Sequence, residues 1–482
     1  MPDHIAGFSF QCNYQMQAEI SGLKKNAPMR ILFLKNALAN VIGGLGTAIF
    51  NLLLPALVAR YLDKLDFTVW NLALQVIVYL QIFGFGLQNA ITRFIAHGHE
   101  LNDLQDQRKT VKAGLMLTGL FASLALLAVA TLIAFYPVLF SDIPPEMVVN
   151  FRICIAVLGI SATWQLFALV PNGIFIGLQQ NIIPVGVQLF VRVLSLCVIF
   201  VVLEQCADLT VLSIAFAISG ALLVPLSLMA VYRWAGEKIR GMTPLDKERF
   251  RELLSYCGTM AAWNIAILLI SGLATMLVGY FDFGRVAAYS LAVTLITIMS
   301  GLQQALMSPL ISAGAKLNAR PESRAELPAL LIRSTRICVA GLLVSVIMIK
   351  FFGDWFLKIW LGSGYSDDII SLLIVLSIGA MVRNATVPYA MLLMALNMQK
   401  QALATAFVEG VVTIGTSLLL GHRFGALGVA FGALIGSVVG SLSQYLYNFK
   451  RTRVLVPNIR EYGIRSGAFL VIPVAIIFLL IR

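Results

Sequence analysis

Charge is scarce in this sequence. Asp, Glu, Lys and Arg together make up 12% of 482 residues, against 59% hydrophobic, and no single water-soluble core could hide that much apolar surface. Cysteine is sparse too. The six are scattered, with Cys206 in a short loop and Cys12, Cys154, Cys197, Cys257 and Cys338 in the N-terminal tail or in apolar stretches, so no disulfide framework is implied. Histidine numbers four. His97 and His99 stand together in HGHE with no other Cys or His near them, a pattern of solvated side chains rather than of a metal centre. No metal and no cofactor is expected. Residues 1–30 lack the apolar core and small-residue cleavage site of a secretory signal, and they read as a cytoplasmic N-terminal tail.

What the chain does have is apolar runs of about 17 to 28 residues, each long enough to cross a hydrocarbon layer of about 30 Å as a helix. They begin near Ile31, Thr68, Ala113, Val149, Asn181, Thr210, Ser255, Ala287, Ala329, Asp368, Ala402 and Ala426. A shorter run at 466–481 sits at the lower limit for spanning. With the N-terminus in the cytoplasm, inside segments hold roughly 21 Lys and Arg against about seven outside. That bias assigns the formal net charge of +12 to loops beside anionic head groups, and nucleic acid is not an expected partner. The longest outside connection, 351–368, has about 18 residues. No extramembrane catalytic domain fits, and the chain is not expected to be an enzyme.

An internal repeat organises the spans. GLQNAI at 86–91 corresponds to GLQQAL at 301–306, and VPNGIFIGLQQNIIPVGVQLFVR at 170–192 aligns without gaps to VPYAMLLMALNMQKQALATAFVE at 387–409. Both pairs share a spacing of about 215 to 217 residues, roughly six spans, so the halves have the same orientation and are related by an axis along the membrane normal. The expected fold is an all-α polytopic membrane protein, about 12 to 14 transmembrane helices in two pseudo-symmetric six-helix halves around a central cavity. Its divisions are a tail at 1–30, a first half at 31–234, a cytoplasmic linker at 235–254, a second half at 255–450, and a basic loop with a short hydrophobic segment at 451–482.

Polar residues inside the spans fall on single helix faces. Asn36, Asn40, Thr47 and Asn51 share one face of the first span, Gln81, Gln88 and Thr92 one of the second, and Gln188, Arg192 and Ser195 one of the fifth. Ser290, Thr294, Thr297, Gln304 and Ser308 form a seam in the eighth span, and Thr405, Glu409, Thr413 and Thr416 one in the eleventh. A seam is either interhelical hydrogen-bonding glue or the wall of a wet cavity. Charges within these faces favour the cavity. A charged side chain at the bilayer centre costs about 2.5 to 3.5 kcal/mol or more, so Arg192 must face the bundle interior. Glu409 occupies the repeat-equivalent position, and the two are expected to face each other, either as a structural lock or as a gate that an anionic substrate opens. Arg383 lies mid-span. Arg93 and Lys35 lie toward inner span ends, where they either line the cavity or snorkel. The balance is cationic and suits an anion.

The stretch 35–96, from KNALANVIGGLGTAIFNLLLPALVARYLDK to the end of FGFGLQNAITRFIA, and FGALGVAFGALIGSVVGSLSQYLYNFK at 424–450 resemble the polysaccharide transporter family, the bacterial polysaccharide or O-antigen flippases of the multidrug/oligosaccharidyl-lipid/polysaccharide exporter superfamily. The resemblance covers spans one to twelve. It implies an inner-membrane carrier that moves an undecaprenyl-pyrophosphate-linked oligosaccharide to the outer leaflet by alternating access. The cationic cavity of such flippases maps onto Arg192, Arg383, Arg93 and Lys35, with Asn40, Gln88, Gln188 and Gln304 as polar lining and Glu409 as a gating or ion-coupling group. Implied partners are the lipid-linked anionic oligosaccharide, membrane lipid, a coupling ion (proton or sodium) and other polysaccharide-assembly membrane proteins. The rivals are a multidrug exporter of the same superfamily, which would favour several cavity carboxylates, a membrane-embedded glycan polymerase or ligase, which would need a large outer loop, and a non-transporting scaffold, which would need no ionised repeat.

Overall fold

A computed structural model describes residues 35–36, 38–139, 144–234, 246–319, 321–361, 366–396, 398 and 400–467. The N-terminal tail and the segment 468–482 lie outside the described residues, so the expectations for 1–30 and for a thirteenth span are not addressed. The described residues are helical and include no strand.

The first half comprises α1 (Leu38–Tyr61), α2 (Lys64–Leu80), α3 (Phe85–Glu100), α4 (Leu104–Leu139), α5 (Val148–Gln165), α6 (Leu169–Gly177), α7 (Ile182–Gln205), α8 (Leu209–Ala221) and α9 (Leu223–Trp234). The second comprises α10 (Lys247–Ile267), α11 (Ala274–Phe281), α12 (Val286–Met307), α13 (Pro309–Ala319), α14 (Leu327–Leu361), α15 (Ser366–Asn384), α16 (Val387–Ala395) and α17 (Lys400–Ser443). Among the described residues ten stretches are long and apolar enough to cross a membrane, and one of them, Ala402–Arg451, turns back on itself and supplies two crossings. The α2–α3 rod at 64–100 completes a set of twelve, six to each half. Helix α10 starts at Lys247, inside the stretch read from sequence as linker, because Asp246 accepts hydrogen bonds from the amides of Glu248 and Arg249 at 3.0 and 3.1 Å and nucleates the first turn there.

Several rods are interrupted midway. A 3₁₀ turn at Gln81–Gly84 separates α2 from α3, another at Leu166–Ala168 separates α5 from α6, and a π turn at Leu268–Gly272 separates α10 from α11. Such breaks inside a membrane require a protein-lined or hydrated interior, because freed backbone groups have no partner in lipid.

The two halves touch at both ends. At the end poor in basic residues α2 packs on α11 and α12, Trp360 donates to the Leu52 carbonyl at 2.8 Å and Arg60 to that of Ile359 at 3.2 Å. At the basic end α10 crosses to pack on α3 and α4. There Arg249 pairs with Asp106, and Lys109 with Asp246 at 2.7 Å. The Lys109 hydrogen bond holds the Asp246 carboxyl below the ordinary carboxylate range.

Helix α17 packs closely on itself. Gly425 adopts φ 57° and ψ −136°, which reverses the chain, and Asp282 accepts from the Ala426 amide at 3.2 Å to cap the returning arm. Four glycines spaced by four, Gly428, Gly432, Gly436 and Gly440, face Leu420, Ser417, Thr413 and Glu409 of the outgoing arm. Thr416 donates to the Gly432 carbonyl at 3.0 Å. Small residues on one face allow this close approach of helix backbones. A Cβ at position 432 would lie 2.5 Å from the Ser417 amide nitrogen, whereas one at Gly415 would meet nothing within 4 Å. Gly432→Ala is therefore expected to destabilise the protein by about 1 to 3 kcal/mol through overpacking, and Gly415→Ala to leave it unchanged or slightly firmer. Thermal melting of the two purified variants checks this.

Candidate functional site

Among the described residues a polar cavity lies in each half. The first, of about 440 Å³, sits where the α2–α3 and α5–α6 rods are interrupted. Those breaks bring in Gln81, Gln88, Asn89, Gln165 and Asn172, while α7 contributes Gln188, Val191 and Arg192 and α9 contributes Leu223. Six amide side chains thus surround one guanidinium. Asn172 is 4% exposed, and its buried Oδ1 has no hydrogen-bond partner among the described residues.

Arg192 is half-buried. Its guanidinium donates to the Thr47 hydroxyl of α1 and lies 5.9 Å from the centre of the Phe50 ring. It forms no ion pair among the described residues. A cation held by a neutral hydroxyl and an aromatic face keeps its other donors available, which is the condition for bidentate capture of a phosphate or carboxylate.

The second cavity, of about 300 Å³, is formed by α12, α15 and the returning arm of α17. Tyr289, Thr297, Ser300 and Gln304 line it from α12, Arg383 from α15 and Ser437 from α17. The Arg383 guanidinium has no hydrogen bond or ion pair among the described residues. Electrostatically it bears on the buried Glu409 and Tyr289. Neither cavity is lined by an Asp or Glu among the described residues.

Glu409 is not opposite Arg192. The two form no ion pair, and Glu409 instead lies 4% exposed inside the α17 hairpin, where a Cβ at Gly440 would come within 2.5 Å of its Oε2. Its Oε1 has no hydrogen-bond partner, nor have the Thr413 hydroxyl one turn further along and Asn448 Oδ1. Asn448 Nδ2 donates to Thr405 at 2.8 Å. The expected face-to-face pair fails because repeat equivalence fixes corresponding positions, not a short distance. The outgoing arm of α17 turns this face toward its own returning arm.

Of the polar residues expected to line the site, Gln88, Gln188 and Arg192 meet in the first cavity and Gln304 and Arg383 in the second. Asn40 lines neither. Its Oδ1 accepts from Asn181 at 3.3 Å, and with Asn36, which donates to the Gln179 carbonyl at 2.8 Å, it ties α1 to the start of α7. Arg93 is exposed at the basic end, 5.6 Å from the centre of the Tyr256 ring of α10. Lys35 is exposed on the approach to α1. These three act at the basic end or as interhelical ties, not within either cavity. Sequence reasoning missed Asn89, Gln165, Asn172, Tyr289 and Ser437. Asn172 carried a signal, an amide inside the apolar run LVPNGIFIG, but Gln165 became visible only through the helix break beside it.

With this geometry in place, comparison with known proteins is decisive. The polysaccharide biosynthesis protein family matches residues 33–313. The chain belongs to that family. Among solved structures it is similar to a multidrug resistance MATE family transporter of the MOP superfamily in an inward-facing conformation, with TM-score 0.65 and 17% identity over 85% of this chain and 99% of that one. It is also similar to the lipid II flippase MurJ in an inward closed conformation, with TM-score 0.64 and 13% identity over 92% and 98%. A MOP superfamily transporter from Pyrococcus furiosus, described as having a binding pocket of reverse polarity, gives TM-score 0.53 and 15% identity over 89% and 96%. A search of curated proteins finds no match. At these identities the likeness is one of fold: this chain shares the all-helical, multi-pass architecture of those proteins.

The cavity geometry makes position 192 reachable by water and position 409 not. In a cysteine-free background, Arg192→Cys is expected to react readily with a small charged thiol reagent. Glu409→Cys is expected to react at least about tenfold more slowly, as a group in a packed interior does. Labelling rates on the folded protein measure the difference.

Proposed function

We propose that this protein is a flippase of the bacterial inner membrane, with its N-terminus in the cytoplasm, that translocates an undecaprenyl-pyrophosphate-linked oligosaccharide to the outer leaflet. The observation that carries this reading is the first cavity, six amide side chains around the guanidinium of Arg192, which has no ion pair among the described residues. Amides donate and accept hydrogen bonds and suit sugar hydroxyls, and a guanidinium fork suits phosphate oxygens. Arg383 gives the second cavity the same sign. A cationic drug would find no carboxylate in either space, which weighs against the multidrug reading.

Transport follows from the division into halves. Residues 31–234 and 255–450 rock against each other, alternately parting the Trp360–Leu52 contact at one end and the Arg249–Asp106 and Lys109–Asp246 pairs at the other. The head group enters the cavity from the basic end while the polyprenyl chain stays in the bilayer. An anion moving outward across an inside-negative potential gains about 2.3 kcal/mol per charge per 100 mV, so the substrate's own charge favours export. Glu409, buried with an unsatisfied oxygen beside Arg383, takes up a proton or sodium ion in the return step. Neighbouring membrane proteins of polysaccharide assembly supply the substrate and receive the product.

Cells lacking the protein are expected to accumulate lipid-linked oligosaccharide on the cytoplasmic leaflet. Arg192→Ala, expressed at normal level, is expected to restore about 1 to 10% of flipping, since a hydrogen bond to a charged group is worth about 1.5 to 3 kcal/mol. Glu409→Gln should fold and bind substrate but lose any response to an imposed proton or sodium gradient. Normal surface glycan in the deletion strain together with sensitivity to cationic drugs contradicts this function.

A further inference from the structure

Helices α7 and α9 wall more than the first cavity. On the other side of their seam is an apolar groove of about 430 Å³, bounded by Ile183, Val187 and Phe190 of α7 and by Leu226 and Met229 of α9. The α7 residues recur at intervals of four and three, one stripe of the helix, while Gln188 and Arg192 serve the cavity. The groove exists because both helices are thin there. Ala230 is 3% exposed at its floor, and at Gly186 an added Cβ would meet nothing within 4 Å. At the basic end the groove finishes at Arg233, in the last turn of α9. Arg233 is exposed and has no hydrogen bond or ion pair among the described residues.

A groove this apolar on a membrane protein is filled by a hydrocarbon chain, and a guanidinium at its head with no partner among the described residues calls for a phosphate at the depth of the head groups. We propose that the α7–α9 groove is a binding site for one anionic glycerophospholipid of the leaflet at the basic end. Its phosphate rests on Arg233 and one acyl chain lies over Gly186 between Phe190 and Met229. Charge complementarity selects the anionic lipid, and the length of groove from Arg233 to Leu226, about two helical turns or 10 Å, admits the upper part of a chain. The transported diphosphate is provided for by Arg192 on the cavity side, so the groove lipid is a resident one. It wedges the two helices that carry Arg192 and Leu223, and so props a wall of the transport cavity from outside.

The test needs no transport assay and stands apart from the flippase reading. The protein is placed in nanodiscs of equimolar phosphatidylglycerol and phosphatidylethanolamine, released, and its retained lipid is identified by native mass spectrometry. Wild type is expected to retain one phosphatidylglycerol. Arg233→Gln should lower the preference for it over phosphatidylethanolamine roughly fivefold, as expected for one basic side chain at a membrane surface. Gly186→Phe, which fills the groove, should retain neither lipid, whereas Gly186→Ala, too small to fill it, should behave as wild type. A wild-type melting temperature shows that Gly186→Phe is folded, and the Arg233→Gln preference decides the matter independently. An unchanged preference in Arg233→Gln, full retention in folded Gly186→Phe, or a retained polyprenyl diphosphate would overturn the proposal.

Discussion

Hydrocarbon offers no hydrogen bonds, and this constraint governs the molecule: every polar group within the bilayer needs a protein partner or water. Most hydroxyls here meet it locally. Thr118 donates to the Gly114 carbonyl at 2.9 Å, Thr163 to Gly159 at 2.8 Å and Ser345 to Gly341 at 2.9 Å, each one turn back on its own helix. Side chains that do not meet it in full stand out. The Asn172 oxygen, the Arg192 and Arg383 guanidiniums and the Glu409 carboxyl are costly in lipid, and all lie inside the two halves. Such unspent hydrogen-bonding capacity is what the proposed passage of a charged head group would use.

The halves are related by a repeat but divide the work unequally. Interrupted helices hold the first half open, so that amides converge on a guanidinium. In the second half the α17 hairpin closes on itself through Gly428, Gly432, Gly436 and Gly440, and the same repeat position that carries a cavity cation in α7 carries a packed acid in α17. One position lines a cavity and its counterpart is a buried ionisable group. Arg383 of the second cavity lies within electrostatic reach of that acid.

Much of this was legible in the sequence. Most of the rods follow from hydropathy alone, because a span of about 20 apolar residues has few other fates. The division into matching halves follows from the paired GLQNAI and GLQQAL and the gapless alignment ending in FVR and FVE. Helical periodicity placed Gln88, Gln188 and Arg192 on interior faces. It did not distinguish glue from cavity lining: Asn40 satisfies Asn181 across the α1–α7 contact, and no spacing rule separates it from Gln188. Breaks within rods are also hidden, since Gln165 and Asn172 lie in an apolar run that reads as one straight helix. Gly425 looks like any glycine of a small-residue stripe until its positive φ reveals the reversal between two arms.

The central claim is that the interior is built for a diphosphate and not for an organic cation. Titration calorimetry on the purified protein, using a short-chain polyprenyl diphosphate and separately a hydrophobic quaternary ammonium ion, tests it most directly. The account predicts saturable binding of the diphosphate, weakened by salt, and no measurable heat of binding from the ammonium ion. Saturable binding of the ammonium ion with none of the diphosphate would contradict it.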